Sequence, residues 1–230
     1  MSYKLYQGDC LQIMDEIATN SVDLIVTDPP YLMNYQSNRR KKTDRFDKIM
    51  NDKDNYNLIQ EYFQKCNRIM KDNTAIYSFC SWHNIDFFKP EFEKYFKLKN
   101  ILIWNKNNHG TGDLKGSYAP KYEFILFGHK GRTLLRGKRI PDVIDCDKIP
   151  SKKLTHPTEK PQELLEIFIE QSSDKGDIIF DGFMGTGSCG IAAVNLDRSF
   201  IGIELNANYF EVAQNRIETA KLNVRQNRLF

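Results

Sequence analysis

The chain has 230 residues, of which 40% are hydrophobic and 27% are charged, and its formal net charge at pH 7 is +3. This length and composition predict one globular domain with a full core, and they exclude a second large domain and a membrane-spanning segment. The small net charge means that any affinity for nucleic acid must come from local clusters of basic residues. The five cysteines are scattered, and the start of the chain does not resemble a signal peptide. We therefore expect a cytoplasmic protein without disulfides or a structural metal.

Strand-like runs alternate with amphipathic helical stretches along the chain, a pattern typical of an α/β fold with a mostly parallel sheet and helices on both faces. The predicted strands are residues 3–6, 22–27, 74–79, 99–104, 123–128, 177–180 and 200–204. The predicted helices are residues 56–70, 161–171, 189–196 and 207–222. Residues 32–55 and 106–120 show neither pattern, and loops of such length are usually functional or disordered. A further polar, basic segment covers residues 130–153.

The second predicted strand ends in the tetrapeptide Asp28, Pro29, Pro30 and Tyr31. Ligands of open α/β sheets bind at the carboxyl ends of strands. Proline fixes φ and lacks an N–H, so two prolines in succession stop the strand and hold Asp28 and Tyr31 in a stiff corner. Such a corner could grip a flat ring that carries an amino group. Taken alone, the tetrapeptide fits an ordinary strand-ending turn equally well.

The predicted loop at 32–55 follows directly on Tyr31 and contains a basic cluster that consists of Arg39, Arg40, Lys41, Lys42 and Arg45. Runs of charge are more often solvated than functional. The position beside the strand-ending corner nevertheless favours binding of nucleic-acid phosphates.

A glycine-rich turn follows the predicted strand at 177–180. Gly185, Gly187 and Gly190 fit the G-x-G-x-x-G spacing, and Glu204 ends the next strand, where an acid can bind ribose hydroxyls. Asp181 precedes the glycines and would repel a pyrophosphate at the helix N-terminus. S-adenosylmethionine is cationic and has no phosphate, so it suits this turn better than a dinucleotide. Only a helix and a short tail follow Glu204, so the N-terminal half must complete the sheet.

Together, these motifs resemble the N6-adenine/N4-cytosine DNA amino-methyltransferases in the β-type motif order, in which the catalytic tetrapeptide precedes the S-adenosylmethionine loop. The resemblance covers nearly the whole chain, including residues 8–10 and 156–161. It implies a single-domain, Rossmann-like methyltransferase fold with a circularly permuted motif order. A catalytic half at 1–128, a short variable segment at 129–155 and a cofactor-binding half at 156–222 are then expected.

The resemblance also assigns roles to residues. The target base would be bound by Asp28, Pro29, Pro30 and Tyr31. The cofactor would be bound by Asp9, Cys10, Thr158, Lys160, Asp181, Gly182, Phe183, Gly185, Gly187 and Glu204, with Asp9 near its adenine and Thr158 and Lys160 near its methionine end. DNA phosphates would be bound by the basic cluster. The family usually has proline where this chain has Gly182, and a helix-capping segment with a solvated lysine would explain Thr158 and Lys160 equally well.

The implied activity is transfer of a methyl group from S-adenosylmethionine to an exocyclic amine of a flipped base in DNA, without a metal. An aspartate at the first motif position is more typical of adenine N6 than of cytosine N4. Cytosine C5 chemistry is discounted because no cysteine here follows a proline. A homodimer and a cognate restriction endonuclease are candidate partners. A nucleotide-dependent oxidoreductase and a non-catalytic nucleic-acid-binding domain stand as the competing hypotheses.

Overall fold

A computed structural model describes residues 2–32, 55–110, 115–150, 152, 154 and 158–227. The predicted phosphate contacts, Arg39, Arg40, Lys41, Lys42 and Arg45, lie outside the described residues.

Within these ranges the chain forms eight strands and six α-helices. The strands are β1 (Tyr3–Gln7), β2 (Val22–Thr27), β3 (Met70–Cys80), β4 (Lys97–Asn105), β5 (Tyr122–Lys130), β6 (Val143–Asp145), β7 (Ile178–Asp181) and β8 (Ser199–Glu204). The helices are α1 (Cys10–Glu16), α2 (Tyr56–Ile69), α3 (Ile85–Glu93), α4 (Gln162–Ser172), α5 (Ser188–Asn195) and α6 (Ala207–Asn227), and a short 3-10 helix, Trp82–Asn84, precedes α3. Every strand and helix predicted from the sequence is present.

All eight strands form one sheet in the order β1-β8-β7-β2-β3-β5-β4-β6. The first five of these are parallel, and β5 runs antiparallel to both β3 and β4. From β2 the chain passes through α2 to β3 on one side, whereas from β7 it passes through α5 to β8 on the other. The neighbouring carboxyl ends of β2 and β7 therefore form the topological switch point, where ligands of such sheets bind.

Helices cover both faces of the sheet, as the sequence predicts. Leu24 and Val26 of β2 pack in a core with α4, α5 and α6. Ile25 belongs to a second core with α1, α2 and α3. A central parallel strand buried on both faces requires a continuous apolar run, and β2 has one.

Three short elements are absent from the sequence prediction: α1, α3 and β6. Helix α1 has 7 residues and β6 has 3, too few for a reliable period. Helix α3 contains Pro90, which weakens a helical signal. In the described part of 106–120 no helix or strand forms, as expected. Among the described helices, none combines the length and the apolar character needed to cross a membrane.

Candidate active site

The tetrapeptide after β2 forms a fixed corner at the switch point. The Tyr31 hydroxyl lies 2.7 Å from Oδ1 of Asp28 and 3.0 Å from Oε2 of Glu123, and it donates its one proton to either carboxylate. The side-chain amide of Asn84 donates to the Tyr31 carbonyl at 2.5 Å. Leu32, the next residue, is buried and has a φ of 58°, a left-handed conformation that is rare for a bulky side chain. Contacts on both sides of the chain thus hold this corner in place.

A buried ionic network surrounds the Asp28 carboxylate. The Lys160 ammonium, whose residue is only 6% exposed, donates to Oδ2 of Asp28 and lies 3.4 Å from Oε2 of Glu123. The Lys106 ammonium lies 2.5 Å from Oε1 of Glu123. Two ammonium groups therefore alternate with two carboxylates. Each charge has a partner, as buried charges require.

The network controls the ionisation of its members. Burial acts to raise the pKa of Glu123, but the ammonium groups of Lys160 and Lys106 outweigh burial and lower it to about 2. Burial acts to lower the pKa of Lys160, but Asp28 and Glu123 raise it. At Asp28, burial raises the pKa and the Lys160 ammonium opposes that shift. Lys160 is therefore an ammonium at neutral pH, directly beside the corner.

The direction of β5 explains why Glu123 reaches this site. Because β5 runs antiparallel to β3, its first residues lie where the neighbouring parallel strands end. The sequence analysis did not select Glu123. An acid at the start of a predicted strand is a usable signal only when the direction of that strand is known.

The glycine-rich turn follows β7, the strand beside β2. Asp181, the last residue of β7, is 5% exposed, and its Oδ1 accepts the N–H of Phe183 at 3.0 Å. Burial raises the pKa of Asp181 to about 7. Gly185 and Gly187 have φ values of 51° and 83°, which glycine adopts without strain. These two conformations let the backbone turn tightly ahead of α5.

Glu204 joins this turn to the next strand. Its Oε2 accepts the N–H of Gly185 at 3.0 Å and its Oε1 accepts the N–H of Asn206 at 2.7 Å. Asp9 lies nearby, since β1 and β8 are paired and the N–H of Gly8 donates to the Glu204 carbonyl at 3.0 Å. Asp9 caps α1 by accepting the N–H of Leu11 at 2.8 Å. The predicted acids Asp9 and Glu204 are thus brought to one edge of the sheet.

Cys10 and Thr158 are two further residues of the predicted cofactor site. Cys10, the first residue of α1, is buried in the core, and burial raises the pKa of its thiol to about 12, so it packs as a neutral group. The carbonyl of Thr158 accepts from the Lys160 ammonium at 3.3 Å. The described contacts of that ammonium therefore connect residues 158–160 to the Asp28 corner.

An ion pair between α6 and the segment before α4 supports the glycine turn. Arg216 of α6 donates to the carbonyl and the hydroxyl of Thr186 at 2.9 and 2.8 Å. The same guanidinium lies 2.7 Å from Glu159, whose side chain is 4% exposed. The turn, α6 and the segment before α4 are held together by this pair.

Gly182 occupies the position where the family usually has proline. Its N–H donates to the hydroxyl of Tyr62 at 3.3 Å, and a Cβ at this position would lie 2.6 Å from the Tyr62 ring. Proline would lose the hydrogen bond and meet the ring. Glycine at position 182 therefore permits the close approach of the Tyr62 ring, and the hydrogen bond to Tyr62 fixes the backbone of the turn there.

The charges of this half of the site fit S-adenosylmethionine. Asp9, Asp181 and Glu204 are acidic, and residues 181–190 contain no lysine or arginine. Carboxylates accept hydrogen bonds from ribose hydroxyls and attract a sulfonium and an ammonium, whereas they would repel a pyrophosphate.

Known proteins resemble the chain along most of its length. A family profile described as DNA methylase matches residues 22–215. The type II methyltransferase M2.MboI of Moraxella bovis is 31% identical over 241 residues, which cover 94% of this chain and 87% of that protein. The DNA adenine methyltransferase YhdJ of Escherichia coli is 27% identical over 250 residues, with 94% and 83% covered.

Solved structures agree with this match. The complex of M1.HpyAVI with S-adenosylmethionine has a TM-score of 0.73 at 27% identity, covering 94% of this chain and 98% of that one. The cytosine-N4-specific PvuII DNA methyltransferase shares the fold, with a TM-score of 0.76 at 15% identity over 97% and 93% of the two chains. The family match sets aside the oxidoreductase hypothesis. The chain belongs to the N6/N4 DNA methylase family and is a DNA methyltransferase that uses S-adenosylmethionine.

Proposed function

We propose that the amine methylated by this enzyme is N6 of adenine. The observation that carries the proposal is the Asp28 carboxylate, fixed at the end of β2 by Lys160 and Tyr31. An aspartate at this motif position is more typical of the adenine enzymes. The likeness to YhdJ, a DNA adenine methyltransferase, supports the same choice.

The corner activates the amine through its acceptors. An exocyclic amine is a poor nucleophile because its lone pair is delocalised into the ring. Asp28 already accepts from Lys160 and Tyr31, but each carboxylate oxygen can accept two hydrogen bonds, so acceptor capacity remains. Asp28 and the Pro29 carbonyl each accept a hydrogen bond from one amino N–H, and these bonds draw the nitrogen toward tetrahedral geometry with its lone pair directed at the methyl donor. Tyr31 stacks on the base and keeps the line of attack straight.

The neighbouring turn holds the methyl donor in this proposal. Bound S-adenosylmethionine supplies an activated methyl group on sulfur for direct in-line displacement. Asp181, with the backbone of residues 182–187, positions that group, and Glu204 binds the ribose hydroxyls. Because β2 and β7 are adjacent, the base and the donor meet at one edge of the sheet.

The target base must leave the DNA duplex to reach this corner, at a cost of a few kcal/mol that stacking and edge contacts offset. We propose the basic residues at 39–45 as phosphate contacts beside Tyr31. Residues 1–128 and 156–222 act as the base-binding and cofactor-binding halves around this edge.

The test is product analysis. DNA incubated with the purified enzyme and S-adenosylmethionine is digested to nucleosides and analysed by mass spectrometry. We expect N6-methyldeoxyadenosine in the wild-type digest and none with Asp28→Ala. N4-methyldeoxycytidine as the only product would overturn the proposal in favour of the cytosine enzymes. Mapping the modified positions in the same DNA gives the recognition sequence.

A further inference from the structure

Tyr62, on α2, connects the two halves of the site. The residue is fully buried, and its hydroxyl lies 2.8 Å from Oγ1 of Thr27 while accepting the N–H of Gly182 at 3.3 Å. Thr27 immediately precedes Asp28, and Gly182 immediately follows Asp181. One phenol therefore contacts the residues next to both functional aspartates.

The donors and acceptors define one order along this contact. Because the amide of Gly182 can only donate, the Tyr62 oxygen accepts from it, and the Tyr62 proton is free to donate to Thr27. The Thr27 hydroxyl in turn acts as a donor toward Asp181, where burial raises the pKa and this hydrogen bond lowers it. The chain of hydrogen bonds thus begins and ends on the cofactor turn, and it passes through the last residue of β2.

The contact lies where the two strands stop pairing. The described register between β2 and β7 consists of Leu24 with Ile179 and Ile25 with Phe180. Thr27 and Gly182 are beyond that ladder, so backbone pairing does not fix their separation. The Tyr62 side chain enters from α2 at this point and replaces the missing pairing with side-chain hydrogen bonds.

Packing also fixes the position of the Tyr62 ring. The Tyr62 and Phe183 ring centroids are 4.7 Å apart, and a Cβ at Gly182 would meet the Tyr62 ring at 2.6 Å. The ring therefore touches the backbone of one turn residue and the side chain of the next.

We propose that Tyr62 is a positioning residue that sets the separation between the base-binding corner and the cofactor turn. The proposal rests on the roles given above to Asp28 and to residues 181–187. Tyr62 touches neither reacting group in this view. It aligns the methyl donor with the amine by holding the strand ends that carry them.

The test removes the Tyr62 hydroxyl and keeps its ring. We expect Tyr62→Phe to weaken S-adenosylmethionine binding by about 5-fold, the value of one net hydrogen bond, and to lower kcat at saturating substrates by a similar factor. Affinity for DNA should not change. Thr27→Val should cause the same losses. Thr27→Ser should keep the wild-type kcat and cofactor affinity because it keeps the hydroxyl.

Tyr77 provides the matched control. It is also buried, and its hydroxyl lies 2.7 Å from that of Ser172, away from the site. Tyr77→Phe should lower the melting temperature as Tyr62→Phe does, but leave kcat and cofactor affinity at wild-type values. Equal kinetic losses in both variants, or no loss in Tyr62→Phe, would overturn the proposal.

Glu204→Gln separates this failure from failure of the site assignment. Weaker cofactor binding in Glu204→Gln with no change in Tyr62→Phe overturns only the role of Tyr62. Unchanged binding in both variants places the cofactor elsewhere and overturns both.

Discussion

Asp28 and Asp181 end neighbouring parallel strands of one sheet, yet their surroundings differ. Asp28 is bonded to the Lys160 ammonium, and that pair belongs to a balanced network with Glu123 and Lys106. Asp181 has a backbone N–H and a hydroxyl as its partners. Burial raises the pKa of both acids. At Asp28 the main opposing cause is the adjacent Lys160 ammonium, whereas at Asp181 it is the N–H of Phe183.

The difference assigns a separate task to each half of the site. A charge-balanced network keeps the base-binding acid ready to accept hydrogen bonds before any ligand arrives. A buried acid without a cation destabilises the free protein, and a cationic ligand removes that cost. Under the proposed roles, binding of S-adenosylmethionine at this turn relieves the unfavourable electrostatic free energy of the buried Asp181 carboxylate.

Replacing Asp28 should produce the largest effect on catalysis. Asp28→Asn keeps the shape but turns one acceptor toward donation, and we expect kcat to fall by about 10²–10³-fold, as for other preorganised hydrogen-bond groups. Cofactor affinity should stay within about twofold because Asp181 and Glu204 are untouched. Methyl transfer from labelled cofactor and calorimetric titration measure the two quantities. Asp23→Asn, on the same strand, is the control, and a rate above a tenth of wild type in Asp28→Asn would contradict the expectation.

Replacing Asp181 should separate binding from stability. The folded pKa of about 7 is above the ordinary value of 3.8, so ionisation costs the folded protein stability as pH rises through that window. Asp181→Asn should therefore weaken cofactor binding by about tenfold and yet raise the free energy of unfolding at pH 8, by on the order of 2–4 kcal/mol. Urea denaturation at pH 5 and pH 8 measures the gain. Lower stability of the variant at pH 8 would contradict this account.

The same variant tests the pH dependence of binding. In wild type, affinity for the cationic cofactor should rise with pH through about 7, because the Asp181 carboxylate is the attractive form. Asp181→Asn should remove that rise, while Asp9, Asp28 and Glu204, the other carboxyls that act on this site, are still present. Persistence of the full pH profile in the variant would assign it to another group.

Replacing Glu123 should lower the stability of the protein, whereas replacing Asp181 should raise it. Its folded pKa of about 2 is below the ordinary 4.5, so its contribution to stability is present above pH 4.5 and is lost as pH falls toward 2. Glu123→Gln should lower the free energy of unfolding at pH 7 by about 3 kcal/mol and flatten the acid side of the profile. Urea midpoints at pH 7, 5, 4 and 3 measure both. Glu91→Gln, which breaks the ion pair with Lys94, should change the acid side much less.

The smallest expected effect comes from crowding behind the turn. A Cβ at Gly190 of α5 would lie 2.4 Å from Cδ1 of Ile217. Gly190→Ala should cost about 1–2 kcal/mol net, since overpacking outweighs the gain in helix propensity. Ile217→Val removes this methyl but leaves the Phe200 ring, 2.8 Å from the added Cβ, so the double variant should recover part of the loss. Strict additivity of the two changes in urea denaturation would show that these residues do not interact.

The sequence was sufficient for the strands that form the switch point and for the two aspartates at their ends. Long apolar runs and the order of the motifs carry that information. Glu123 and Tyr62 were not selected, because their place in the site depends on the direction of β5 and on the packing of α2. Lys160 was selected for the methionine end of the cofactor, whereas its described contacts are with the base-binding corner. Hydrophobic periodicity predicts helices and strands, but it does not predict that the segment with Lys160 contacts the end of β2.

The permuted order of strands has a consequence for synthesis of the protein. Tyr3 of β1 pairs with Phe200 of β8, and Lys160 bonds to Asp28 across 132 residues of sequence. The first strand emerges from the ribosome long before its partner β8, which ends in Glu204, is made. Contacts between residues so far apart in the sequence form late in folding. A chain that ends before β8 therefore carries Asp28 without Glu204, so the two halves of the proposed site are complete only after the final strand has joined the sheet.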